Sequence, residues 1–138
     1  VKARILEGES MAMNFPEYKF YTSAIVGGIC PIVVGTAWAL KKNDSPRRVY
    51  AFIGDMAVIS GIANECIRYS INHSLPITWV IADNNKSVAT NTLKAYGGNI
   101  DNYIQDLKRQ RRGTQVKILH YKYKSKFPHS GTGQFVSF

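Results

Sequence analysis

One stretch restricts the folds open to this chain more than any other: Gly54–Asn85, GDMAVISGIANECIRYSINHSLPITWVIADNN. The run leading into it, Arg47–Ile53 (RRVYAFI), is β-branched and aromatic and ends in Gly54-Asp55, which predicts a core parallel strand. From Ala57 to about His73 the apolar residues Val58, Ile62, Cys66, Tyr69 and Ile71 recur mostly every three or four positions, which predicts an amphipathic helix. Leu75–Ala82 (LPITWVIA) then reads as a second strand, ending in Asp83-Asn84-Asn85. Two parallel strands joined by a helix form a right-handed crossover, so Gly54 and Asn85 fall on one edge of the sheet. Asp55 and Asn84-Asn85 are then neighbours at the carboxyl ends of adjacent strands, where open α/β sheets gather ligands. Oxygen donors in such a corner suit Mg²⁺ and a phosphate. Each residue also has a plainer account: Asp55 as a cap on the following helix, the Asn pair as turn residues. Asp83 reads as a supporting or turn residue.

The remaining segments fit around that unit as one domain over residues 1–138, long enough to bury its own core. Residues 1–20 lack periodicity and read as an N-terminal arm, with Pro16 closing off any helix. Tyr21–Val26 is strand-like and ends at Gly27-Gly28; GICPIVVGTAWALKK then predicts a buried helix with Pro31 in its first turn. Asn43-Asp44-Ser45-Pro46 is a turn signal. Lys86–Gly98 is polar and predicts a loop over the site. Asp101 to about Gln110 predicts a helix with Ile100, Tyr103, Ile104 and Leu107 on one face, closed by Arg111-Arg112-Gly113. Gln115–Lys124 alternates as a strand, and 125–138 is a C-terminal tail.

Eighteen Lys and Arg against nine Asp and Glu give a net charge of +9. Residues 108–138 hold eight of the basic side chains and no acid, so the charge belongs to one segment. That segment either meets an anionic partner or keeps a tail solvated; exposed aromatics are not interleaved with it outside Tyr121 and Tyr123, which argues against nucleic acid. Cys30 and Cys66 lack CxxC spacing and sit among apolar residues, as free thiols in a reducing compartment do. The longest apolar run, around Ile29–Val34, is too short to span a bilayer, so a cytoplasmic protein without a membrane partner is expected. A start at Val1 rather than Met suits a fragment. No HxxxH or His/Cys grouping suggests zinc; His120 falls on a strand and His73 at a helix end.

Gly54-Asp55, followed by residues 57–83 and then Asn84-Asn85, resembles the thiamine-diphosphate signature, GDG and NN separated by a variable stretch. Other pieces resemble the alpha subunits of 2-oxo acid dehydrogenases of the pyruvate dehydrogenase type, in order along nearly the whole chain. Ser10-Met11 is similar to their GGSMH, Ala24-Ile25-Val26-Gly27 to their GIVG, and Leu75-Pro76 to their LP. Gly61 and Glu65 fall where those helices carry glycine and glutamate, and Tyr121-Lys122-Tyr123 is similar to their YRY.

The resemblance implies a three-layer, mostly parallel α/β fold with helices on both faces, shared with the N-terminal module of transketolases. It implies thiamine diphosphate and Mg²⁺ as cofactors. Asp55, the Asn85 side chain and the Ser87 carbonyl would hold the metal. Main-chain N–H groups of Met56 and Ala57, next to Gly54, would meet the diphosphate, a use of a helix N-terminus that physics also favours. Ile25, Val26 and Gly27 would shape the aminopyrimidine pocket. The implied function is that of a cofactor-binding subunit of an enzyme acting on 2-oxo acids or ketoses, within a homo- or hetero-oligomer. The alternative is a non-catalytic assembly protein of the same fold that uses its basic segment on an anionic partner.

Four departures qualify that reading. Met56 replaces the last glycine of GDG. No acid sits in a pyrimidine-domain motif, so the glutamate that activates the cofactor has to come from a beta-type partner chain. Lys124, Ser125 and Lys126 stand where the relatives carry HGHS; His129, a few residues on, reads first as a solvent-exposed tail histidine and otherwise as a stand-in for the active-site histidine. The segment between NN and YRY, and the portion before SMH, are shorter than in the family.

Overall fold

The computed structural model describes residues 2–8, 11–129 and 132–134. In chain order these form α1 (Lys2–Leu6), β1 (Asn14–Phe15), a 3₁₀ turn (Pro16–Tyr18), β2 (Phe20–Tyr21), α2 (Cys30–Lys42), β3 (Val49–Gly54), α3 (Asp55–Val58), α4 (Gly61–Asn72), β4 (Ile77–Asp83), β5 (Lys86–Ser87), β6 (Thr90–Asn91), α5 (Thr92–Tyr96), α6 (Ile100–Gln110) and β7 (Lys117–Lys122). The main sheet has the order β3-β4-β7 and both pairings are parallel. The expected α/β class and parallel sheet are therefore present.

Crossovers from β3 to β4 and from β4 to β7 advance in the same direction across the sheet, so right-handedness sets α4 and α6 on the same face. The core agrees. Ile67 and Ile71 of α4, Ile104 and Leu107 of α6 and Val33 and Ala37 of α2 pack with Ala51, Ile53, Trp79, Ile81 and Ile118 of the sheet. The second helical layer expected on the opposite face is not among the described residues. Tyr50 and Phe52 of β3 are 62% and 64% exposed there, and Leu119 and Tyr121 of β7 are exposed on the same face, with β4 between the two strands. β3 is accordingly an edge strand buried on one side, not the core strand its composition suggested.

Burial of the central strand β4 is nearly complete, and the buried indole N–H of Trp79 is satisfied: Trp79 Nε1 donates to Ser70 Oγ of α4 at 3.1 Å. The helix expected from Ala57 to His73 is broken in two at Ile59-Ser60. Ser60 takes an extended backbone and its Oγ accepts from Ala63 N–H, opening α4. The buried stripe is Ala63, Ile67, Ser70 and Ile71, one residue off the predicted face, and Ile62 and Tyr69 are exposed.

Three other expectations need correction. The arm 1–20 carries α1 and the β1–β2 hairpin. The strand expected over Tyr21–Val26 stops at Tyr21, because turn bonds from Gly28 N–H to Ile25 O and from Cys30 N–H to Gly27 O curl the chain into α2. The loop 86–98 is structured: β5 pairs with β6, Asn91 caps α5, and Gly97, at φ 75°, closes it. Ser10 and most of 130–138 lie outside the described residues.

Candidate functional site

Gly54 pairs with Ala82 at the carboxyl end of the sheet, so the next residue on each strand, Asp55 and Asp83, are neighbours. Asp55 opens α3, and its side chain does not cap that turn: Gly54 occupies the cap position, without a side-chain bond. Asp55 therefore does not hold the cap position, although main-chain N–H groups of Asp55 and Met56 at the start of α3 stabilise its carboxylate. Asp55 is 2% exposed, and its Oδ2 has no hydrogen-bond partner among the described residues. Burial, reinforced by the adjacent Asp83 carboxylate, pushes the Asp55 carboxyl up to about 6.

Asp83 titrates the other way. Burial alone would raise it, but a contact of 2.9 Å from His120 Nε2 to Oδ2 and a bond of 2.8 Å from Asn85 N–H to Oδ1 hold it below the usual carboxylate range. Of the two acids, Asp83 is the fully partnered anion and Asp55 presents the unsatisfied oxygen. A shared proton or a bound cation satisfies that oxygen.

Asn85 follows in the left-handed region, at φ 57°. Its side-chain Oδ1 accepts from Thr92 Oγ1 at 2.6 Å and its carbonyl from Thr92 N–H at 3.2 Å. Asp83, Asn85, Thr92, Asp101 and Lys122 line a cavity of about 290 Å³ at this edge. Above Gly54, a Cβ would meet nothing within 4 Å, so the space over the strand end is open.

The predicted residues are brought together unevenly. Met56 and Ala57 lie in α3, directly after Asp55, and the Met56 side chain packs on the core; its backbone is helical, a conformation that does not require glycine. Ser87 lies in β5, which packs against α3. Gly27 sits in a turn at φ 73° against α4, where a Cβ would lie 2.6 Å from Ile62 Cγ2 and 3.0 Å from Ser60 Oγ. Ile25 and Val26 beside it are 75% and 68% exposed, so no closed pocket forms around them. His129 is not at the Asp55 corner. It lines a separate cavity of about 370 Å³ with Asn84, Lys86 and Tyr123.

Two residues at the site escaped sequence reasoning. His120 is in phase with Val116 and Ile118, a polar side chain on the inward face of β7, which was a readable signal. Thr92 gave none. Asp83, Asp101 and His120 form a cluster whose ligand atoms lie within 4.8 Å of one another. Its donors are already engaged, since His120 meets Asp83 and the Lys122 ammonium sits 2.6 Å from Asp101 Oδ2. The vacant donor at this edge is Asp55, not this cluster.

Comparison with known proteins bears on the same corner. A family pattern described as 1-deoxy-D-xylulose-5-phosphate synthase matches residues 13–134. The pyruvate dehydrogenase E1 component subunit alpha of Rickettsia conorii is 32% identical over 90 residues, covering 64% of this chain and 28% of that protein. The Rickettsia prowazekii subunit is 33% identical over 90 residues, with the same coverage of 64% and 28%. This chain thus spans about a quarter of the length of the curated relatives it matches. A solved structure described as a thiamin diphosphate-dependent enzyme from Mycobacterium smegmatis superposes with a TM-score of 0.50 at 19% identity, over 76% of this chain and 24% of that one, which shows the fold. The chain therefore belongs to the 1-deoxy-D-xylulose-5-phosphate synthase family, among the thiamine-diphosphate-dependent enzymes that its motifs resemble.

Proposed function

We propose that this chain binds the diphosphate of thiamine diphosphate through Mg²⁺ and forms part of an enzyme acting on 2-oxo acids or ketoses. The observation that carries the reading is the buried, unpartnered Oδ2 of Asp55 beside a second carboxylate, at the strand edge where the signature motif falls. A divalent cation there neutralises a costly pair of acids, and the carboxylate, amide and carbonyl oxygens of Asp55, Asn85 and Ser87 are the hard donors that Mg²⁺ takes. Main-chain N–H groups of Met56 and Ala57 at the opening of α3 would meet the diphosphate oxygens. Ile25, Val26 and Gly27 would flank the aminopyrimidine. When bound, the cofactor supplies the electron sink for cleaving a bond next to a carbonyl.

The chain's own residues anchor and orient, and a partner completes the site. The described glutamates, Glu7, Glu17 and Glu65, are all exposed, and none lines the cavity at Asp83 and Asn85. In this reading the activating glutamate comes from a pyrimidine-binding chain, as the resemblance implies. The open sheet face of Tyr50, Phe52, Leu119 and Tyr121 supports association, because apolar patches of this kind mark interfaces. No described helix is long and apolar enough to cross a membrane; a cytoplasmic setting remains part of this proposal.

The assignment is tested by calorimetric titration of thiamine diphosphate in Mg²⁺ with wild type and Asp55→Ala. Binding that disappears in the variant supports the reading. Equal affinity in both would remove Asp55 from the site.

A further inference from the structure

The proposed metal donors do not hold themselves in place. Asn85 sits in a left-handed conformation, which costs an asparagine less than most residues but still requires support. Three contacts provide it. Asp83 Oδ1 accepts the Asn85 N–H at 2.8 Å, Thr92 N–H donates to the Asn85 carbonyl at 3.2 Å, and Thr92 Oγ1 donates to Asn85 Oδ1 at 2.6 Å. The last bond aims the amide oxygen while leaving it a second lone pair. Asp83 is in turn fixed through its other oxygen by His120, whose side chain is 9% exposed. Thr92 is 3% and Asp83 5% exposed, so these contacts compete little with water.

The geometry points to Asp83, His120 and Thr92 as positioning residues that preorganise Asn85, and with it the metal-binding corner, before any ligand arrives. The inference rests on the proposed function, since it concerns how that corner is built. It assigns roles to His120 and Thr92, which lie outside the GD and NN motif. It also accounts for the difference between the two aspartates at the strand edge: Asp83 engages one oxygen with Asn85 and the other with His120 of β7, and Asp55 Oδ2 has no hydrogen-bond partner among the described residues. Groups that orient a metal ligand in this way typically change metal affinity about 10- to 100-fold when removed.

The test uses the whole chain and two readouts. The first is the Mg²⁺ concentration giving half-maximal thiamine diphosphate binding; the second is amide hydrogen exchange over residues 84–92. Thr92→Val is nearly isosteric and keeps the fold while deleting the hydroxyl. It should raise the Mg²⁺ midpoint about 10-fold or more and speed exchange over 84–92, with β3, β4 and β7 unchanged. His120→Ala and Asp83→Ala should do the same. Asp83→Asn keeps an acceptor for Asn85 N–H and an amide for His120, and should restore slow exchange. If wild type binds in a Mg²⁺-dependent way and Thr92→Val and His120→Ala leave both readouts unmoved, the inference falls and the functional reading stands. If wild type binds no thiamine diphosphate at any Mg²⁺ concentration, the functional reading falls and takes this role with it.

Discussion

Asp55 is the residue at which stability and function pull apart. An aspartate kept for structure loses stability when replaced, whereas one kept for a ligand is a burden without it. Here the carboxyl is buried beside Asp83 and pushed up to about 6, so at neutral pH it is ionised in the fold at a cost in stability that the unfolded chain does not bear. Asp55→Asn removes the charge and offers Asp83 a donor. In the absence of metal and cofactor the variant should be more stable than wild type, by on the order of 1–3 kcal/mol, read from urea unfolding at pH 7.5. A loss of stability would mark Asp55 as structural. Gly27 supplies a second residue-scale expectation. A methyl there meets Ile62 Cγ2 at 2.6 Å and needs φ 73°, and neither strain is relieved by a flexible side chain. Gly27→Ala should cost about 2–4 kcal/mol and weaken cofactor binding; a neutral thermal melt would contradict the close packing of that turn on α4.

At the scale of elements, the junction of α4 with β4 is set by one buried polar contact. Ser70 Oγ accepts from Trp79 Nε1 and itself donates to the Ile67 carbonyl. Ser70→Ala leaves the indole N–H buried without a partner, which should cost about 1–3 kcal/mol. Trp79→Phe in the same background should cost less than the sum of the single changes. The packing of α2 on the core gives a pH dependence. Burial, with Cys66 nearby, pushes the Cys30 thiol up to about 11 from 9.0. The folded state therefore holds this proton more tightly, and the stability it contributes is complete below pH 9 and lost as pH rises toward 11. Between pH 9 and 11 the melting temperature should fall less steeply in Cys30→Ala than in wild type; parallel curves would contradict a buried, protonated thiol.

The elements legible in the sequence were those with enough repeats of one period. α2, β3, β4, α6 and β7 were foreseen within a few residues, because apolar side chains at Val33 and Ala37, Ile100, Ile104 and Leu107, or Val116 and Ile118 face one core. What was missed is held by single contacts. A Ser60 cap splits one expected helix into α3 and α4, and an Asn91 cap with a left-handed Gly97 makes α5 out of an expected loop. Such bonds are indistinguishable in sequence from turn chemistry. The same rule holds at the strand edge. The placement of Asp55 and Asn85 after strands is legible from spacing, but the partners of Asn85 depend on a seven-residue return to Thr92 and on the pairing of β7, both tertiary.

For the whole molecule, the distribution of polar and apolar surface sorts the functions. Charge does not define a free basic surface throughout the C-terminal segment: Lys122 pairs with Asp101 and Arg109 with Asp106. The Arg48 guanidinium is likewise committed, to the carbonyls of Ile77 and Gln115. The uncovered face of the sheet and the unsatisfied acid at its carboxyl edge are the two features that the described residues do not complete by themselves. Under the proposed function, the first is a surface for association and the second a site for a cation. The cation is the more direct to test. Thiamine diphosphate titrated into the purified chain, followed by tryptophan fluorescence, should give saturable binding when Mg²⁺ is present. The signal should vanish with EDTA and return when Mg²⁺ is added back. Binding that is the same in EDTA, or absent under both conditions, would contradict the account of Asp55 and Asn85 as a metal-dependent cofactor anchor.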